Sequence, residues 1–212
     1  MAKQIEGVYE RILECAKREF LEKGYTDASL RNIAVAAETS TNSIYVRFGD
    51  KAGLFEAIVK PVADEFKDRY FGIQKEFADF EADEQKEQVN EFSMQEFTHL
   101  LDYIYENFEE FHLLLDASYG TIFHNFVDEL TRIEVEYTFK FMKTVGYESV
   151  KNGTITEEFL HIITTAFMEG VFEVVRHDMN REDAEKYISL LGKYHQAGFD
   201  TFFQEHEKKD NN

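Results

Sequence analysis

The chain has 212 residues, 43% of them hydrophobic, and a formal net charge of −19. That apolar content excludes a disordered chain and suffices for a core of one large domain or two smaller ones. The sequence holds no run of ~18 apolar residues and no apolar signal core in MAKQIEGVYERI, and Cys15 is its one cysteine, so no membrane span, secretory leader, disulfide framework or cysteine zinc site is expected and a cytoplasmic location is.

Apolar residues recur at spacings of three and four, and strand signals are nearly absent, so the expected fold class is all-α. Ile5, Val8, Ile12, Ala16 and Phe20 mark one face of a first helix, which Gly24 ends. Ser29 can cap a second helix from Leu30 to about Ala37, and Ser40 a third from Thr41 to Phe48. Asp50 can cap a fourth that starts at Lys51. Further helices are expected at about 51–79, 86–107, 109–119, 121–145, 156–177 and 181–206, punctuated by Gly120, Gly146 and Gly153, with a frayed tail over 208–212. Pro61 leaves two readings open. It either bends the fourth helix by removing a hydrogen bond, or opens a new helix, where proline is welcome.

Charge divides the chain. Residues 1–60 hold nine basic and nine acidic side chains, and the remainder 14 and 33. The neutral part can approach a polyanion, and the acidic part repels one.

Two short helices joined by a tight turn and preceded by a longer one form a helix-turn-helix unit. Leu30, Ile33 and Ala34 are expected to face Ile44 and Phe48, which lie four apart and so share the inner face. The outer face then carries Asn42 and Val46, flanked by Thr41, Ser43, Tyr45 and Arg47. Small polar residues there fit a major groove, Arg47 suits guanine or phosphate, and Val46 suits a thymine methyl. Tyr45 and Lys51 suit phosphate oxygens, Lys51 beside the N–H groups that open the next helix. Ser29 and Arg31 complete the candidate DNA-binding set.

Residues 24–55, GYTDASLRNIAVAAETSTNSIYVRFGDKAGLF, resemble the DNA-binding domain of tetracycline-repressor (TetR) family regulators. The likeness is carried by Gly24-Tyr25, Ser29-x-Arg31-x-Ile33-Ala34, Ala37, Ser40, Ile44-Tyr45-x-x-Phe48, Asp50-Lys51 and Leu54-Phe55. It implies a three-helix DNA-binding domain over 1–50 and a larger helical ligand-binding and dimerisation domain over 51–207. It also implies a dimeric regulator, most simply a repressor released from palindromic operator DNA by a small-molecule effector. Two positions depart from the family pattern. Glu38 stands where glycine is usual in the turn, and Thr39 where an apolar residue is usual, so a differently shaped turn and weakened DNA affinity are expected.

Residues 61–212 hold 26 of the 32 aromatic residues, as an aromatic-lined cavity between helices requires. The candidate lining is Phe66, Tyr70, Phe97, Leu101, Tyr105, Tyr119, Phe123 and Phe167. Helical stripes make Phe159, Ile163, Gly170, Val174, Tyr187, Leu191, Tyr194, Gly198 and Phe202 the candidate dimer interface. No cofactor is expected, and no nucleophile or phosphate loop suggests an enzyme. The rival from another class is a di-metal carboxylate enzyme built on Glu96-x-x-His99, Glu109-x-x-His112 and Glu158-x-x-His161, each pair on one helix face. A third reading is an interaction protein whose helix-turn-helix does not bind DNA.

Overall fold

The computed structural model describes residues 2–203, with side chains described over 7–201 except at 90, 91, 93 and 94. The side chains of Ile5 and Phe202 and the tail 208–212 lie outside this description. Among the described residues the elements are helical and no strand occurs. In chain order they are α1 (Ala2–Asp27), α2 (Leu30–Ala36), α3 (Thr41–Phe48), α4 (Lys51–Ala78), α5 (Ala82–Glu106), α6 (Phe108–Asp116), the 3-10 turn η1 (Ile122–Asn125), α7 (Phe126–Val145), α8 (Glu148–Lys151), α9 (Glu157–Arg176) and α10 (Arg181–Phe203).

The helices fall into two compact units. One takes the chain up to Phe66 together with Asn107–Phe126, and the other takes Lys67–Glu106 and the chain from Val127 onward. In the first unit, Ile12, Ala16 and Phe20 of α1 are buried with Ile33, Ile44, Leu54 and Phe55. Residues 107–126 join this core through Phe111, Leu114 and Phe123. The ring of Phe20 meets Phe55 edge-on at 5.0 Å, and Phe66 meets Phe111 edge-on at 5.1 Å. Lys17 of α1 bridges Glu110 and Glu109 of α6 at 2.6 and 3.3 Å, and the Tyr25 amide donates to the Ala117 carbonyl at 2.9 Å. The second unit is cored on Phe141, Met142, Ile155, Leu160 and Phe199, with Phe77 packed against them.

Several local expectations are met, and others shift. Gly24 breaks the regularity of α1 with φ 71°, a backbone conformation that glycine adopts without Cβ strain. Pro61 lies inside a continuous α4, so no new helix begins there. The helix expected over 121–145 instead opens with η1, because the Thr121 hydroxyl accepts from the Phe123 amide and Gly120 takes φ 87°. An additional short helix, α8, fills the loop between α7 and α9.

Candidate functional site

The site begins with three caps. The Ser29 hydroxyl accepts from the Asn32 amide at 3.4 Å and so starts α2. The Ser40 hydroxyl accepts from the Ser43 amide at 3.1 Å and starts α3. A carboxylate oxygen of Asp50 accepts from the Gly53 amide at 2.8 Å at the head of α4. Each cap satisfies a helix-end N–H that has no intrahelical partner. Gly49, at φ 80°, closes α3. Gly53 is required for another reason, which the sequence reading missed. A Cβ there would stand 1.9 Å from the Phe48 carbonyl oxygen, so only glycine lets α4 start hard against the end of α3.

Packing then sorts the faces of α3. Ile44 is fully buried beside Ile33 and Ala34, and Phe48 stacks on Tyr9 of α1 at 5.1 Å. Leu30 and Phe48 are only partly buried. The opposite face is open. Asn42 is exposed, Tyr45 is 51% exposed and Val46 75%. Arg31 on α2 is exposed, while Ser29, Thr41 and Ser43 are partly so. On α2, Val35 is 73% exposed, an apolar side chain that the sequence reading did not select.

Two cations are held by the protein itself. The Arg47 guanidinium folds back one turn and donates to the Ser43 hydroxyl at 2.6 Å and the Ser43 carbonyl at 3.1 Å. The Lys51 ammonium donates to the carbonyls of Thr26 and Ala28 at 2.9 and 3.1 Å and lies 4.8 Å from the centre of the Tyr25 ring. Lys51 therefore ties the end of α1 to the start of α4. The turn between α2 and α3 is not reshaped to relieve Glu38, which holds φ 52° with its side chain exposed.

The same segment matches a known family: residues 12–58 fit the model of bacterial regulatory proteins of the tetR family. Residues 12–58 therefore carry a TetR-type domain. Over 76 residues it is 36% identical to the uncharacterized HTH-type transcriptional regulator YvdT of Bacillus subtilis (strain 168). That match covers 34% of this chain and 39% of the relative. Among solved structures, PfmR, a TetR family transcriptional regulator from Thermus thermophilus, superposes with a TM-score of 0.54 at 19% identity, covering 92% of this chain and 94% of that one. NalD, the secondary repressor of the MexAB-OprM multidrug efflux pump in Pseudomonas aeruginosa, superposes with a TM-score of 0.56 at 18% identity, covering 90% and 96%. At these identities the likeness is one of fold: a TetR-type all-α chain with a helix-turn-helix at its N-terminal end.

The second unit contains a cavity of about 430 Å³, bordered by α4, α5, α7, α9 and α10. Of the eight candidate lining residues it brings together Tyr70, Phe97 and Phe167. Phe66 and Phe123 belong instead to the core of the first unit, and Tyr119 of that unit is 80% exposed. Leu101 is buried away from the cavity, and the Tyr105 hydroxyl donates to the Met179 carbonyl at 2.7 Å. Glu134, Gln74 and His195 also line it beside the aromatic rings, and no motif or spacing in the sequence singles them out. The Tyr70 hydroxyl and the Gln74 amide both donate to Glu134, and burial pushes the Glu134 carboxyl above the usual carboxylate range. His195 stacks on Phe167 at 4.1 Å, and burial pulls its imidazole down to about 4.

The candidate interface residues also separate. Val174 is fully buried within its own chain and offers no side chain to a partner. Gly170 serves the contact between α9 and α10: its carbonyl accepts from the Tyr187 hydroxyl at 2.9 Å, and a Cβ there would meet Leu191 at 3.2 Å. Phe159 and Ile163 are partly buried, Gly198 is exposed and Tyr194 is 81% exposed. Ile162 on α9 and Leu190 on α10, not selected from the sequence, are 62% and 68% exposed.

The Glu-x-x-His pairs do not form a metal centre. His99 meets Glu96 at 3.5 Å, but His112 pairs with Asp116 and Glu109 with Lys17, while Glu158 and His161 are exposed on α9. Among the described residues no three His, Cys, Asp or Glu side chains are grouped to hold a metal ion. No described helix is long and apolar enough to cross a membrane.

Proposed function

We propose that this chain is a ligand-responsive transcriptional regulator, not an enzyme. It binds a palindromic operator in the cytoplasm as a homodimer and leaves it when a small molecule fills the cavity of the second unit. The observation that carries the reading is the face of α3 that packing leaves open. Asn42, Tyr45 and Val46 stand outward from a helix whose inner residue, Ile44, is fully buried, within a segment that matches a family of regulatory proteins.

In this reading Asn42 and Val46 meet base edges, with Thr41 and Ser43 beside them at the helix N-terminus. Tyr45, Ser29 and Arg31 reach phosphate oxygens, which position the unit without reading sequence. Arg47 gives up its bonds to Ser43 to meet a base or a phosphate, and Lys51 offers phosphate the N–H that its two carbonyl partners leave over. A two-fold dimer presents two α3 helices to half-sites about 34 Å apart, or a multiple of that. The dimer face is made by Ile162, Ile163 and Phe159 of α9 with Leu190, Tyr194 and Gly198 of α10. The effector acts by favouring one of two forms of the dimer.

The test is selection of duplexes from a random pool by the purified full chain, followed by competition at two salt concentrations. The expected result is one preferred palindrome whose affinity falls with salt at a log–log slope on the order of −4, since each protomer brings few phosphate-reaching groups. Val46→Ala and Asn42→Ala should each cost about 1–3 kcal/mol at one base position per half-site. A dimer with no preference for any duplex over random competitor overturns the reading.

A further inference from the structure

We propose that the cavity of the second unit takes a lipophilic cation, a protonated amine or quaternary ammonium on an apolar body, and that Glu134 recognises its charge. The proposal rests on the reading of this cavity as the effector site and assigns the class of molecule.

The motivating observation is a carboxylate set into an aromatic wall. Glu134 stands on α7, and its Oε2 accepts from the Tyr70 hydroxyl and from Gln74 Nε2, the latter at 2.6 Å, both on α4. Its Oε1 accepts more distantly from the Thr138 hydroxyl, at 3.4 Å. All four residues line the cavity. These neutral donors orient the carboxylate and bring no positive charge to it. The surrounding wall includes Phe77, Phe97, Phe141 and Phe167.

Chemistry then separates three classes of occupant. A cation brings the counter-charge that a carboxylate removed from bulk water lacks, and ring faces attract it as well. A neutral ligand displaces water from Glu134 and returns nothing, so part of the apolar gain is lost to desolvation. An anion adds a like charge where screening is weak. The other charged groups on the lining point the same way. Glu96 and Asp200 stand against Lys193, and His195 is neutral at pH 7 because burial holds its imidazole at about 4. With Glu134, the described lining residues include three carboxylates and one ammonium. Burial raises the Glu134 carboxyl, and a bound cation opposes that rise and keeps it ionised.

Three probes of one chain length isolate the charge: dodecyltrimethylammonium, 1-dodecanol and dodecanoate, titrated below micelle formation into the full chain by calorimetry. The expected result is one saturable site per chain that prefers the cation over the alcohol by about tenfold or more, with the carboxylate weakest. Glu134→Gln keeps the side-chain volume and an acceptor for Tyr70, so it should lose that preference while its affinity for the alcohol changes by less than about threefold. Glu134→Asp retains the charge, and a preserved preference for the cation there separates charge from shape. Unfolding midpoints check that both variants are folded. An unchanged preference in Glu134→Gln, or dodecanoate binding as tightly as the cation, overturns the assignment. If the alcohol binds and the cation gains nothing, the charge assignment fails and the effector cavity stands. If none of the three binds, both fail.

Discussion

Glu38 is a side chain expected to weigh on both stability and DNA binding. At φ 52° its Cβ crowds the backbone, at a cost of roughly 1 kcal/mol or more, and its carboxylate stands in the turn between α2 and α3. Glu38→Gly should remove the strain, less the extra entropy glycine returns to the unfolded chain, for a net gain on the order of 0.5 kcal/mol in denaturant unfolding. Glu38→Gln keeps the strain and removes the charge, so DNA affinity should rise in both variants and stability in the glycine variant alone. His195 gives the pH counterpart. Its folded imidazole titrates near 4 and its unfolded one near 6.5, so the unfolded chain takes up the proton first as pH falls. The stabilisation it contributes above pH 6.5 is lost between pH 6.5 and about 4. His195→Phe should therefore lose less stability than the parent over that window when unfolding is followed in denaturant. Glu134, which titrates with the opposite sign, is common to both proteins and cancels in the comparison.

At the scale of elements, α4 carries a residue that most helices reject. Pro61 is exposed in the interior of a continuous helix, where it removes one backbone hydrogen bond. Pro61→Ala should stabilise the chain by roughly 1–3 kcal/mol, measured as a shift in the denaturant midpoint at constant slope. If Pro61 serves regulation, the same variant should change effector release of DNA more than DNA affinity itself. Element starts were legible in the sequence because capping is local: Ser29, Ser40 and Asp50 each act on an amide three residues away. The partners of Arg47 and Lys51 were not equally legible. Arg47 bonds within its own helix, but the carbonyls that hold Lys51 lie 23 and 25 residues earlier in the chain.

At the scale of the molecule, the exposed apolar side chains of α9 and α10 are the feature that a single chain leaves unresolved. Leu190 and Tyr194, four apart on α10, are 68% and 81% exposed, and Ile162 on α9 is 62% exposed. Burying three such side chains on each protomer of a dimer is worth on the order of 10 kcal/mol before ordering costs. Leu190→Glu with Tyr194→Glu should convert a dimer to a folded monomer, read by sedimentation with unchanged helical circular dichroism, because neither residue serves the core of its own chain. Operator affinity should fall by more than about a hundredfold with the loss of the second half-site.

The sequence by itself determined the helical class, the caps, the inner and outer faces of α3 and the glutamate in the turn before it. All of these depend on spacings of three or four residues and on short motifs. Tertiary structure decided the rest. It brought residues 107–126 into the N-terminal unit, placed Phe66 and Phe123 in that unit's core and set Glu134 into an aromatic cavity. Periodicity tells which face of a helix is apolar, but only packing decides which other helix covers it, and a cavity is what remains where the covering is incomplete.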